Sequence, residues 1–241
     1  MKSFIVELWS RVFSTARWIS LFQIIRRLFP NTATAGFVEL WVLGHTMLAL
    51  IAVGLAAYVK NTVVLTALII YGGLRVFEIV VYQLNVLLFD EYRARKAGGV
   101  YALHGYRRIV ILLLHNYLEI IFWFAATYLV FAPLFDFRLI GTNGEATMAL
   151  GIYSSFVVMT TFGDPNVSAA TTYGVIILFA QSIVGLFMTL LSLARFISLI
   201  PIPDTRDEFE KRLPPNPRLQ RTRFTRRTSP RSRPLAGARR R

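Results

Sequence analysis

The sequence contains four apolar blocks long enough to cross the hydrocarbon core of a bilayer, which restricts the possible folds more than any other feature. They cover residues 37–59, 63–89, 109–132 and 173–200, and a helical span needs about 20 residues. Backbone groups in lipid must be paired within the segment, so such blocks fold as helices. The chain is 55% hydrophobic and only 17% charged, whereas a soluble domain is about 25% charged. We therefore expect an all-α membrane protein with four transmembrane helices.

A fifth apolar stretch, residues 146–159, lies between the third and fourth blocks. As a helix it would reach only about 21 Å, which is too short for a span. Such a segment is typical of an interfacial helix or of a re-entrant half-helix. The fold class that we predict therefore includes a re-entrant pore helix beside the four spans.

The distribution of basic residues predicts the orientation of the spans. Short segments before the first span, between the second and third, and after the fourth are rich in lysine and arginine. The segment before the first span contains Lys2, Arg11, Arg17, Arg26 and Arg27. The segment between the second and third spans contains Arg93, Arg95, Lys96, Arg107 and Arg108. The other two connections contain only Lys60 and Arg138. Because cytoplasmic loops carry the excess of positive charge, we expect a multi-pass inner-membrane protein with both termini in the cytoplasm.

Residues 1–29 show the pattern of an amphipathic helix rather than of a signal peptide. Polar side chains recur at intervals of three and four, at Ser3, Glu7, Ser10, Arg11, Ser14 and Arg17, and apolar ones lie between them. We expect this helix to rest on the cytoplasmic surface of the bilayer. An alternative is that it packs around the membrane domain.

The C-terminal segment, residues 201–241, is predicted to be a disordered, basic, cytoplasmic tail. Residues 213–241 contain ten arginines, five prolines and no acid. The chain has a net charge of +14, but without those arginines the balance is 17 basic to 13 acidic residues. Such a tail could contact anionic lipid or nucleic acid, but basic low-complexity ends are usually only solvated. We expect the lipid bilayer as a partner and no nucleic acid.

Few ionisable side chains lie inside the predicted spans. Arg75 and Glu78 are three residues apart and can neutralise each other on one helix face. His115 and Glu119, with His45 or Glu39, could supply metal ligands, but interhelical hydrogen bonding is the preferred interpretation. The sequence has no cysteine and no catalytic motif that we recognise. We therefore expect no enzymatic activity, no metal centre and no organic cofactor.

The segment around residues 146–166 has the features of a short helix followed by a chain reversal whose oxygen atoms could coordinate an ion. A half-length helix would end at Thr160 and Thr161, and Gly163 would lead into a polar turn before the fourth span. The carboxyl end of such a helix carries partial negative charge. Threonine hydroxyls and backbone carbonyls at that depth can replace the hydration shell of a cation.

Residues 155–166, SFVVMTTFGDPN, resemble the aromatic–small–apolar–TTVGYGD pattern of the potassium channel superfamily with two transmembrane helices per pore module. Further along the chain, Thr171, Thr172 and Gly174 fit the TT-x-G sequence that opens the family's inner helix. Gly185 lies near the position of the family's hinge glycine.

This resemblance implies a pore module over residues 109–200, with an outer helix, a pore helix, a filter and an inner helix. It implies a homotetramer, since one chain has one module, and passive conduction of the monovalent cations K⁺ or Na⁺. Gly185 would be a gating hinge, or alternatively a site of close helix packing. The residues that would form the filter are Thr160, Thr161, Phe162, Gly163 and Asp164.

The sequence departs from the family pattern inside the filter. Asp164 and Asn166 are similar to the TVGDGN filter of a non-selective bacterial sodium–potassium channel. Pro165 replaces the second filter glycine, and its fixed φ near −65° does not supply the freedom of a glycine. We therefore expect weakened selectivity. The alternative is a non-conducting scaffold or regulatory subunit that keeps a relic pore fold, and the resemblance does not explain residues 37–89.

Overall fold

The computed structural model describes residues 4–16, 20, 22, 25, 34–59, 61–98, 106–141, 146–161 and 166–199. Parts of the predicted segment 1–29, three of the predicted filter residues and the predicted tail 201–241 lie outside these residues. The three filter residues are Phe162, Gly163 and Asp164.

The described part of the chain is mainly helical. Its elements are α1 (Phe4–Ala16), α2 (Ala35–Tyr58), α3 (Thr62–Leu84), a π-helical turn (Asn85–Phe89), α4 (Asp90–Lys96), α5 (Tyr106–Val130), a 3₁₀ turn (Ala132–Leu134), β1 (Phe135–Phe137), α6 (Met148–Thr160), β2 (Val167–Ala169) and α7 (Thr172–Leu199).

Four of these helices are long and apolar enough to cross a membrane, as the sequence predicted. They cover Gly36–Tyr58, Thr62–Lys96, Arg107–Val130 and Thr172–Ile197. The predicted short apolar stretch forms α6, which has 13 residues. The number and order of the apolar helices are therefore confirmed.

The second long helix extends beyond its predicted end at residue 89. It continues through the π-helical turn and α4 to Lys96, for 35 residues in all. Pairs along α4 stabilise this extension: Arg93 Nη1 lies 3.1 Å from Asp90 Oδ1, and Arg95 Nη2 lies 2.5 Å from Glu91 Oε1. Acidic residues at the start of α4 and basic ones at its end also suit the helix dipole. Basic residues that the sequence assigned to a loop are therefore helical.

Side-chain caps fix where several helices begin. Thr34 accepts a hydrogen bond from Phe37 N at 3.3 Å, and Asn61 accepts one from Val64 N at 3.2 Å. Thr147 and Thr171 act in the same way at α6 and α7, accepting from Leu150 N at 3.3 Å and from Gly174 N at 3.1 Å. Each cap satisfies a backbone donor that has no partner within the helix.

The main apolar core surrounds α5, which packs against α2, α3, α6 and α7. Ala125 and Ala126 of α5 are fully buried, and Trp123 is nearly so. Gly72 of α3 lies directly against the indole ring of Trp123, where a Cβ would collide with it. Small residues allow these helices to approach closely, which favours association of apolar helices in lipid.

A short antiparallel ribbon connects the end of α5 with the start of α7. Phe135 of β1 pairs with Ala169 of β2, and Phe137 pairs with Val167. Close to it, Gly174 in the first turn of α7 faces the carbonyl oxygen of Leu134. The ribbon therefore marks the level at which both long helices end on this side.

Helix α1 packs against the π-helical turn and α4. Asn85 Nδ2 donates to Phe13 O at 3.0 Å, and the rings of Phe13 and Phe89 stack with centroids 5.6 Å apart. Lys96 Nζ lies 3.3 Å from Glu7 Oε1. The hydrogen bond from Lys96, followed by that from Arg11, lowers the pKa of Glu7 below its ordinary value. These contacts attach α1 to the extended second helix.

Candidate functional site

Helix α6 lies between α5 and α7 and covers about half of their length. Near its start, Gly151 lies against the side chain of Leu129, which is close to the end of α5. Near its end, the Met159 carbonyl oxygen lies 3.4 Å from the hydroxyl of Tyr117, in the middle of α5. The same carbonyl lies against Gly185, in the middle of α7. Helix α6 therefore runs from the ribbon end of the two long helices to their midpoint.

The helix ends in a backbone conformation that is unusual for threonine. Thr161 has φ 57° and ψ 21°, a left-handed geometry that β-branched residues rarely adopt. Its Oγ1 donates to Thr160 O at 2.7 Å, and Thr160 Oγ1 donates to Phe156 O at 2.8 Å. The left-handed residue stops α6 at this level, and Thr161 is exposed at its tip.

From Thr161 the chain returns to the ribbon level at Asn166. Asn166 is buried, and its Oδ1 accepts from Leu139 N at 2.7 Å while its Nδ2 donates to Leu139 O at 3.1 Å. Its carbonyl accepts from Arg138 N at 3.0 Å. Thr161 and Asn166, the described residues on either side of residues 162–165, thus lie at two levels, five peptide steps apart. The predicted filter residues between them lie outside the described residues, as does Pro165.

A buried polar network attaches α6 to both neighbouring helices. Gln181 Nε2 of α7 donates to Ser155 O at 2.8 Å and to Ser155 Oγ at 2.9 Å. Ser155 Oγ donates to Ile121 O of α5 at 2.7 Å, and the Tyr128 hydroxyl donates to Gln181 Oε1. Gln181, Ser155 and Tyr128 are all fully buried.

None of these three residues was predicted from the sequence to form a buried network. The available signal was Gln181, which is the only residue with a side-chain amide in the predicted fourth span, residues 173–200. A polar group at such a position is costly unless it is paired, so it indicates a hydrogen-bonded neighbour without identifying that neighbour.

Gly185 permits a close approach between α6 and α7. A Cβ added there would lie 2.5 Å from the Met159 carbonyl oxygen and 3.1 Å from Met159 Cα. On the far side of the same contact, the Tyr117 hydroxyl lies 3.1 Å from Thr189 Oγ1. Of the two predicted roles for Gly185, this geometry favours close packing.

A second polar site lies among α2, α3 and α5. Arg75 Nη1 lies 2.5 Å from Glu78 Oε2, as the sequence spacing predicted. Arg75 also binds Glu119 of α5, with Nε 2.8 Å from Oε1 and Nη2 3.3 Å from Oε2. All three side chains are buried, at 3%, 6% and 0% exposure respectively. We call this cluster the Arg75 triad.

The structure does not bring together the histidine and glutamate side chains that the sequence offered as candidate metal ligands. His115 Nδ1 donates to Ile111 O at 2.9 Å, and His45 Nδ1 donates to Trp41 O at 2.7 Å. Glu39 accepts from Arg108 Nε at 2.6 Å. Among the residues that the structure describes, no group of three histidine or acidic side chains could hold a metal ion. The interhelical hydrogen bonding expected of Glu119 is observed, and its partner is Arg75 of α3.

Comparison of this chain with protein-family models, with curated proteins and with solved structures found no match.

Proposed function

We propose that this chain is one subunit of a passive monovalent cation channel, with potassium or sodium ions as the permeating species. The pore is assembled from four copies, and α5, α6 and α7 are its outer helix, re-entrant pore helix and inner helix. The filter comprises Thr160, Thr161, Phe162, Gly163 and Asp164. The resemblance of the sequence to potassium channel pore modules is the starting point of this proposal.

The single observation that carries the proposal is the level at which α6 ends. When α5 and α7 cross a bilayer, the Met159 contacts with Tyr117 and Gly185 put the carboxyl end of α6 near the bilayer centre. Its partial negative charge then faces the membrane interior, where it favours a cation. Irregular backbone at that depth is tolerated only where protein buries it or water lines it. The segment after Thr161 meets that condition if it lines a pore.

The burial of the helices supports assembly with further copies. Only 22% of the most apolar window of α7 is buried within one chain, compared with 44% for α5. Large side chains such as Tyr173, Phe179 and Ile197 are more than 60% exposed on α7. One chain supplies one half-helix and one inner helix, so a closed pore requires other copies around a rotation axis.

The same proposal assigns a place to α1 and to the termini. Both termini are cytoplasmic in an inner-membrane protein, as the basic residues indicate. Phe4, Leu8 and Val12 form an exposed apolar side of α1, at 78%, 46% and 45% exposure. In this orientation α1 lies along the cytoplasmic surface with that side toward the lipid.

Recordings from purified protein in planar bilayers, with asymmetric sodium and potassium chloride, test the proposal. We expect discrete unitary currents and a tetramer as the largest cross-linked species in mild detergent. A stable tetramer that carries no current would support the non-conducting scaffold instead. A protein that remains monomeric in every detergent would refute the pore assembly.

The filter assignment has its own test, which uses two aspartates. A ring of four Asp164 carboxylates at the external mouth would concentrate divalent cations, so external calcium should impede monovalent current. Asp164→Asn should relieve this block. Asp136→Asn is the matched control, because Asp136 is an exposed acid on β1 and lies outside the proposed filter. Equal relief by both variants would indicate a general surface potential and would remove Asp164 from the pore.

A further inference from the structure

A cavity of about 160 Å³ lies beside the Arg75 triad, among α2, α3 and α5. Its wall is mostly apolar, but Ser20, Trp41, Arg75, Glu78 and Asn116 contribute polar groups. Most residues that line the cavity belong to α2 and α3, the part of the chain that the channel resemblance does not explain. It lies near the first turns of α2 and the last turns of α3.

Two residues that line the cavity each contain a buried polar atom that has no hydrogen-bond partner among the described residues. The two atoms are Oδ1 of Asn116, an acceptor, and Nε1 of Trp41, a donor. Asn116 is only 4% exposed. A buried amide oxygen without a donor is destabilising, so the site is incomplete without an occupant that binds an oxygen ligand and also accepts from an N–H group.

The charge of the Arg75 triad indicates the sign of that occupant. One guanidinium pairs with two carboxylates, so the cluster carries one excess negative charge when both glutamates are ionised. Among the described residues, the other groups that bind Glu78 are neutral donors, namely the Ser20 hydroxyl and Phe22 N, the latter at 2.8 Å. Trp123 Nε1, the further donor to Glu119, lies 3.4 Å away and is also neutral. Among the described residues, no second cation contacts either carboxylate.

We propose that this cavity binds one monovalent metal cation, sodium or potassium, together with water. The cation balances the excess charge of the triad, with Asn116 Oδ1 as a direct ligand and the Glu78 carboxylate beside it. A water of its hydration shell accepts from Trp41 Nε1. The volume accommodates an ion and several waters, since each water occupies about 30 Å³.

Charge balance also explains why the ion is monovalent. A divalent ion would leave one uncompensated positive charge among apolar helices, which is costly in a low-dielectric interior. A proton on Glu78, Glu119 or His45 would balance the triad without a metal ion. Binding of a metal cation depends on the sodium or potassium concentration, whereas protonation depends on pH, so an experiment can distinguish the two.

The test is the thermal stability of the purified full chain in detergent near neutral pH. N-methylglucamine chloride at a constant ionic strength of about 0.15 M is replaced stepwise by potassium chloride or, separately, by sodium chloride. We expect a saturating rise in Tm with at least one of the two metal ions. At about ten times the dissociation constant of the ion, the rise should be about 4 °C.

Two variants locate the bound ion. Glu119→Gln keeps an acceptor for Arg75 but makes the triad neutral, so the variant should lose this cation dependence. Asn116→Leu removes the direct oxygen ligand and should weaken the apparent affinity at least tenfold. The matched control is Glu39→Gln, which removes an exposed carboxylate of α2 and should leave the dependence intact.

Three results would overturn the proposal. The first is a wild-type Tm that is equal in N-methylglucamine, potassium and sodium chloride but rises as the pH is lowered, which would identify a proton as the balancing charge. The second is an unchanged cation dependence in Glu119→Gln, and the third is unchanged affinity in Asn116→Leu. Ions bound at the proposed filter could also raise the Tm. They do not affect the outcome, because the test uses only the part of the cation dependence of Tm that Glu119→Gln or Asn116→Leu removes.

Discussion

Replacement of Gly185 by alanine tests the contact that holds the end of α6 against α7. The added Cβ would lie 2.5 Å from the Met159 carbonyl oxygen, closer than a carbon and an oxygen can approach, so the backbone of α6 or α7 must move. Overpacking of this kind costs about 1–3 kcal/mol. It opposes the gain of about 1 kcal/mol that alanine gives over glycine within a helix.

Gly73→Ala is the matched control, because Gly73 lies inside α3 and a Cβ there meets nothing within 4 Å. The helix-propensity gain is common to both substitutions, so the difference between the two variants isolates the packing cost of about 1–3 kcal/mol. For a chain of this size, 2 kcal/mol corresponds to about 6 °C in Tm. We therefore expect the Tm of Gly185→Ala to be about 6 °C lower than that of Gly73→Ala.

The assay combines thermal unfolding in detergent with cross-linking of the tetramer and single-channel recording. Displacement of Met159 carries Thr160 and Thr161 with it, so the packing interpretation predicts less tetramer and altered unitary conductance. Equal Tm values for the two variants would refute this reasoning. If open probability also changed while unitary conductance stayed the same, the hinge role for Gly185 would be supported.

Four further substitutions probe the polar contacts of the structure. Gln181→Leu should destabilise the protein by about 1–3 kcal/mol, measured by denaturant unfolding, because it leaves the buried groups that bind Gln181 without partners; Ser155→Ala, which keeps the backbone acceptor, should cost less. Asn85→Leu should release α1 from the π-helical turn and increase its hydrogen exchange, because the bond from Asn85 Nδ2 to Phe13 O is lost. The pKa of Glu7 is lowered, so its contact with Lys96 is fully stabilising above the ordinary value of 4.5 and is lost as the pH falls through the lowered pKa. Spin labels on α1 and α4 should separate over that acidic range, and Glu7→Gln, in which the distance should not titrate, is the control.

The sequence alone predicted the features that depend on residues close to one another along the chain. The four spans and the short helix α6 follow from the lengths of the apolar blocks, because only a helix pairs its own backbone in lipid. The pair of Arg75 with Glu78 follows from a spacing of three residues within one helix. Thr171, Thr172 and Gly174 mark the start of α7, which begins at Thr172.

Only the tertiary structure decided which helix faces meet. The spans are apolar on nearly all sides, because lipid and protein interior favour the same side chains, so no stripe in the sequence defines their rotation. The sequence grouped Glu119 with His115 only as candidate metal ligands and left its interhelical partner open, whereas packing pairs it with Arg75, 44 residues away. The same reason applies to Gln181, whose partners are set by the packing of α5, α6 and α7. It applies to Gly185 as well. The sequence shows a glycine within a helix, but only the position of the neighbouring helix determines which atoms pack against it.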